Sequence, residues 1–113
     1  MDCLFCKIAA KQIPATIVFE NERVIAFEDI HPQAPTHVQI IPRRHIGTTL
    51  ELAAGDAALM GELVLVAAEL ARKAGIAEDG YRLAINTNPA AGQSVYHLHL
   101  HLLGGRSFRW PPG

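Results

Sequence analysis

The run Tyr96-His97-Leu98-His99-Leu100-His101-Leu102 constrains the chain more than any other stretch, because histidine and an apolar residue alternate through it without a break. Strict alternation is the pattern of a half-buried β-strand. At roughly 3.3 Å of rise per residue, neighbouring histidines stand roughly 6.6 Å apart on one face. The spacing predicts a strand over 96–102, with Tyr96, Leu98, Leu100 and Leu102 toward the core and three imidazoles on a solvent-accessible wall. Two chemistries use such a wall. A catalytic zinc takes three neutral imidazoles and a water, whereas covalent catalysis uses one histidine as nucleophile and its neighbours as proton donors and anion clamps. Spacing alone does not separate the two.

The flanking stretch bears on that choice. Asn86-Thr87-Asn88-Pro89-Ala90-Ala91-Gly92-Gln93-Ser94-Val95 sets a Gly-containing turn, a hydroxyl and amides beside the histidines. Turns of this kind aim backbone N–H groups into a concavity that suits phosphate. Ser94 adds a donor for which neutral metal ligands have no use.

The rest of the chain reads as a small α+β domain. Leu4, Phe5, Ile8 and Ala9 predict a short helix over 4–10, ended by Ile13-Pro14. Residues 16–20 and 23–28 are β-branched and aromatic runs joined at Asn21-Glu22, a hairpin. Two prolines make 29–36 a loop, and His37 to Pro42 returns as a third strand, with His37, Gln39 and Ile41 on one side. Leu59, Leu63, Val66 and Leu70 mark a long helix over 56–74, stopped by Gly75. Its polar arc is only Glu62, Glu69, Arg72 and Lys73. A second face of Gly61, Val64, Leu65, Ala68 and Ala71 calls for cover, which predicts a symmetric partner. Residues 81–86 form a fourth strand and the histidine run a fifth. Short strands, hairpin connections and one long helix predict an antiparallel sheet.

At 113 residues the chain is expected to be one domain, 1–113. A net charge of −1 lacks the basic footprint of a nucleic-acid binder. No apolar run approaches the ~20 residues of a membrane span, and Met1-Asp2-Cys3 does not open a signal peptide, so a cytoplasmic protein is expected. In a reducing compartment, Cys3 and Cys6 form a C-x-x-C pair that points to metal or redox chemistry more than to a structural disulfide.

Gly92-Gln93-Ser94-Val95 followed by His-x-His-x-His resembles the histidine triad family. The Leu102-Leu103-Gly104-Gly105-Arg106 exit and the Trp110-Pro111-Pro112-Gly113 end are similar to its nucleotide-binding branch, the purine nucleoside phosphoramidases. The resemblance runs from about Phe5 to Gly113. It implies a five-stranded antiparallel sheet with one long and one short helix, extended to ten strands in a homodimer. It also implies hydrolysis of purine nucleoside 5′-phosphoramidates through a nucleotidyl-histidine, with no cofactor required for catalysis. Dinucleoside polyphosphate hydrolysis is the rival within the family. A nucleotide-sensing or scaffold module with little turnover is the rival outside enzymology.

Residue by residue, the resemblance makes His99 the nucleophile and His101 a phosphate contact that can relay a proton. His37 is its additional histidine, and Ser94 a donor to phosphate or the departing amine. Asn86 and the Gly92-Gln93 backbone complete the phosphate contacts. Asp29 receives the ribose hydroxyls, and Phe5, Ile8, Ile13, Phe27 and Ile30 surround the purine. Glu28 stands at the rim, where animal members often carry histidine, and His31 replaces a more usual small polar residue. Bacterial members hold zinc with a Cys, Cys, His, His set matching Cys3, Cys6, His45 and His97. That set makes the metal a possible structural zinc, tying the first helix to the sheet.

Overall fold

The computed structural model describes residues 2–113. Helix α1 (Leu4–Ala9) is capped by Cys3, whose Sγ accepts the Cys6 N–H at 3.3 Å. Strands β1 (Ile17–Glu20) and β2 (Val24–Glu28) form the expected hairpin. Asn21 closes it, its side-chain oxygen accepting the N–H groups of Arg23 and Val24 at 2.9 and 2.8 Å. Strand β3 (Thr36–Pro42) follows the proline-containing loop, and helix α2 (Ala57–Lys73) follows two 3-10 turns. Gly75, at φ +75°, ends α2 in a Schellman turn, in which Gly75 N–H meets Arg72 O and Ile76 N–H meets Ala71 O. Strands β4 (Tyr81–Ala84) and β5 (Leu100–Gly104) complete a five-stranded antiparallel sheet of order β1-β2-β3-β5-β4.

The sheet's two faces divide the apolar residues. Val24, Ala26, Val38, Ile40, Leu98, Leu100 and Leu102 pack with Leu63, Val66, Leu70 and Ala71 of α2. Ile25, Phe27 and Ile41 pack with Cys3, Phe5 and Ile8 around α1. Period-2 alternation in β2, β3 and β5 thus gives one layer to each helix. His37, Gln39, His99 and His101 fall on the α1 side.

The structure corrects the sequence reading at several points. First, β5 begins at Leu100, so His97 and His99 lie on its lead-in. Continuing the β3–β5 register past Ile40↔Leu100 would set Leu98 opposite Pro42, which has no N–H to give. Leu98 N–H goes instead to Ile46 O at 2.6 Å. Second, Tyr96 is 43% exposed and does not face the core, because the regular pleat starts only after it. Third, the histidines are no solvent-accessible wall, since α1 covers them: His97 is fully buried and His99 is 8% exposed. Fourth, Ala71 belongs to the chain's own core, which leaves Gly61, Val64 and Leu65 as the exposed stripe of α2, with Leu65 71% exposed. Strand β4 also stops before Asn86, leaving that residue in the connecting loop. Among the described residues no helix is long and apolar enough to cross a membrane.

Candidate active site and metal cluster

Each histidine of the run has its tautomer set by a neighbour. His97 Nε2 lies 2.7 Å from the Pro42 carbonyl, so Nε2 carries the hydrogen and Nδ1 keeps its lone pair. His99 Nδ1 lies 2.8 Å from the His97 carbonyl, so here Nδ1 carries the hydrogen and Nε2 holds the lone pair. Phe5 packs edge-on against the His99 ring, with centroids 5.1 Å apart, and steadies its plane. The Gln33 backbone N–H donates to His37 Nδ1 at 3.0 Å, which puts the hydrogen of neutral His37 on Nε2. That hydrogen is directed at His101 Nδ1, 2.9 Å away, leaving His101 to carry its own on Nε2. Two adjacent imidazoles, 4.9 Å apart, therefore hold opposite tautomers: His99 offers a lone pair and His101 a proton.

Burial reinforces the neutral forms. It lowers the pKa of His99 against the opposing pull of the His97 carbonyl and Asp29. It lowers His37 although Asp29 pulls the other way. His101 is pushed down to about 4, by burial first and then by the charges of His99 and His37.

Asp29 joins this group from the β2–β3 loop. Its Oδ1 accepts the His31 N–H at 2.8 Å, and its Oδ2 accepts from Gln39 Nε2 at 2.7 Å and lies 3.4 Å from His37 Nε2. Asp29, His37 and His101 have ligand atoms within 4.8 Å of one another, but the hydrogen on His37 Nε2 makes a poor metal ligand of that atom.

A second cluster lies on the far side of His97. Cys3 Sγ is 3.3 Å from His97 Nδ1, Cys6 Sγ is 3.5 Å from it, and Cys6 Sγ is 3.3 Å from His45 Nδ1. All four ligand atoms fall within 4.8 Å of one another. Tetrahedral zinc at ordinary bond lengths needs ligand separations of about 3.3–3.8 Å. The donor set therefore fits a closed S₂N₂ site. The Pro42 carbonyl is the outer partner that turns the His97 lone pair inward. Burial and the neighbouring Cys3 raise the Cys6 thiol, a state that a bound cation reverses.

The remaining candidates spread over several places. Gln93 is buried and knits the loop together, its Oε1 accepting the Asn88 N–H at 2.8 Å and its Nε2 donating to the Gly47 and Val95 carbonyls. Its side chain is thus spent within the protein, and its backbone N–H turns to the Asn88 carbonyl at 3.2 Å, as the Gly92 N–H does to that of Pro89 at 3.0 Å. Gly92, at φ +90°, ends the 3-10 turn Pro89–Ala91, and Asn86 is half-buried upstream of it. Ser94 is exposed and lines a surface depression with Cys3 and His45. Phe5, Ile8 and Phe27 are buried, and Ile13 packs on their cluster. Ile30 is 85% exposed on the loop, and Glu28 is exposed beside Asp29. The tail lies against β4, where Arg82 donates to the Arg109 carbonyl at 2.9 Å. Sequence reasoning missed the Pro42 carbonyl and the Gln33 N–H as tautomer-setting groups. It also missed Gln39, whose only signal was an amide on the His37 side of an otherwise apolar strand.

Fold and site together define an α+β protein whose antiparallel sheet carries a line of neutral, tautomer-locked imidazoles under a cysteine-bearing helix. A family model described as HIT domain matches residues 10–108, and the chain belongs to that family. It is 50% identical over 105 residues to the purine nucleoside phosphoramidase of Escherichia coli, covering 93% of this chain and 88% of that protein. It is 51% identical over 112 residues to a 14 kDa zinc-binding protein of Zea mays, covering 97% and 87%. The crystal structure of a HIT family hydrolase from Legionella pneumophila superposes with a TM-score of 0.97 at 54% identity, covering 99% of this chain and 100% of the other.

Proposed function

We propose that the protein cleaves the P–N bond of purine nucleoside 5′-phosphoramidates, with His99 as nucleophile. The observation that carries this reading is the pair of opposite tautomers on His99 and His101. The His99 Nε2 lone pair attacks the α-phosphorus, the P–N bond breaks, and the amine leaves with a proton from His101 Nε2 or from the Ser94 hydroxyl. Water then attacks the phosphorus of the nucleotidyl-histidine, giving its proton to whichever of His101 Nε2 or Ser94 Oγ lost one; the bond from His99 Nε2 to phosphorus breaks and the mononucleotide departs. Asn86 and the Gly92-Gln93 backbone hold the phosphate, and Asp29 receives the ribose. Phe5, Ile8, Ile13, Phe27 and Ile30 border the base, with Glu28 at the rim. The half-identical phosphoramidase of Escherichia coli supports the substrate class.

Cys3, Cys6, His45 and His97 hold zinc as a structural ion, a reading supported by the fit of the four donors and by the zinc-binding relative from Zea mays. The ion would pin α1 over the sheet, while the chemistry stays with His99 and His101. The exposed Gly61, Val64 and Leu65 stripe supports a homodimer, and the chain works in the cytoplasm.

Adenosine 5′-phosphoramidate and diadenosine polyphosphate assayed side by side test the reading. Faster turnover of the phosphoramidate, with a mononucleotide adduct on the His99 peptide after an early quench, is the expected result. Preference for the dinucleotide moves the protein to polyphosphate hydrolysis, and no turnover of either leaves a sensing module.

A further inference from the structure

Gln39 carries the one buried side-chain polar atom that lacks a hydrogen-bond partner among the described residues, its Oε1. The residue sits mid-sheet, opposite Phe27 on β2 and opposite His101 on β5. Its Nε2 donates to Asp29 Oδ2 at 2.7 Å. Turning the amide over would set Oε1 against the carboxylate, so the orphaned oxygen is the consequence of keeping the NH₂ group on Asp29. An apolar side chain of the same size would avoid that cost but would strip Asp29 Oδ2 of its amide donor. The bond to Asp29 does not by itself say why the carboxylate is held here.

The hydrogen on His37 Nε2 does explain it. Gln33 fixes that hydrogen on Nε2, and two acceptors compete for it: His101 Nδ1 at 2.9 Å and Asp29 Oδ2 at 3.4 Å. A carboxylate is the stronger acceptor. Left alone, Asp29 would turn to His37 and strip His101 of its donor. Gln39 occupies Oδ2 and holds the carboxylate off.

We propose that Gln39 is a positioning residue: by engaging Asp29 it reserves the His37 hydrogen for His101 and so fixes the tautomer with which His101 meets the substrate. This rests on the phosphoramidase reading only for its effect on turnover, since the hydrogen-bond partition is a property of the free protein. The titratable groups facing His101 are His99 from its own lead-in, His37 from β3 and Asp29 from the loop.

Two variants test it. Gln39→Met keeps the volume and removes the amide; Gln39→Asn keeps an amide one methylene short of Asp29. In both, ring-nitrogen NMR titration should show His101 rising from about 4, because a donor to its neutral form is gone, while burial and the neighbouring imidazoles keep it below its ordinary 6.5. His37 should rise as well, because it gains a carboxylate partner. Thermal midpoints should not fall for Gln39→Met, and the acid limb of kcat for adenosine 5′-phosphoramidate should move up in step with His101. Folded variants with unmoved His37 and His101 titrations would overturn the proposal, and so would a lower midpoint with unmoved titrations. Moved titrations with an unmoved pH profile would overturn its bearing on turnover. A wild type that turns over no phosphoramidate would sink the functional reading, and the titrations would still decide the partition.

Discussion

His99 and His101 sit two residues apart, yet one backbone carbonyl and one ring hydrogen give them opposite chemistry. The His97 carbonyl takes the Nδ1 hydrogen of His99, and His37 supplies a hydrogen to Nδ1 of His101. Removing the first ring removes the attacking atom and leaves the phosphate loop and Asp29 untouched. His99→Ala is expected to lower phosphoramidate turnover by about 10³-fold or more while mononucleotide affinity, followed by calorimetry, stays within a few-fold of wild type. Turnover near the wild-type rate in that variant would remove His99 from the mechanism. The Gly92 backbone is the complementary case. Its φ of +90° disfavours any side chain, and a Cβ there meets no neighbour within 4 Å, so Gly92→Ala tests backbone strain in isolation. A loss of about 1–2 kcal/mol in urea unfolding is expected, the cost of a non-glycine residue in the left-handed region.

At the scale of elements, α1 has only six residues, too few to hold a helix by itself. Cys3 caps it, Phe5 and Ile8 bury its inner face, and the Cys3, Cys6, His45 and His97 cluster joins it to the loop after β3 and to the lead-in of β5. With zinc bound as proposed, chelation should lower the thermal midpoint by roughly 10 °C, if about 2 kcal/mol of binding is lost. It should also raise amide exchange in α1 before exchange in α2. Protein purified without a polyhistidine tag should carry about one zinc per chain. Less than about half an equivalent, or a midpoint indifferent to chelation, would leave the cysteines as a packed thiol pair. Much of this was legible in the sequence. A β-branched and aromatic run beside Asn21-Glu22 gave β2, alternation gave β3 and the histidine line, and the 3.6-residue period with Gly75 gave α2, because those patterns come from local geometry. The start of β5 was not legible, because Pro42 ends the β3–β5 ladder from the neighbouring strand. Nor was the burial of His97 and His99, since the cover comes from α1, more than ninety positions earlier in the chain. Gln39 escaped for the same reason: its partner Asp29 lies across a loop, and spacing along one strand does not report it.

The whole molecule folds around four histidines that burial keeps neutral, and this couples its stability to pH. His37, His97, His99 and His101 all titrate below their ordinary 6.5 in the folded protein, with burial the leading cause in each. As pH falls below 6.5 the unfolded chain takes up these protons first, so their contribution is full above that value. It is lost on acidification toward the folded values, which for His101 extends down to about 4. The carboxylates act lower. Glu62, Glu20 and Asp56 are held below their ordinary values of 4.5 and 3.8 chiefly by hydrogen bonds from Arg23, Lys11 and Arg44, and their contribution begins to fade only near those values. Between about 6.5 and 4.5 the histidines alone should therefore set the slope. Urea midpoints measured from pH 8 to pH 4 are expected to stay level above about 7 and to decline through that window. His101→Gln should make the decline shallower, because one depressed titration is gone. A midpoint that held level down to pH 4.5, or that began to fall above pH 7, would contradict neutral burial of the histidine line.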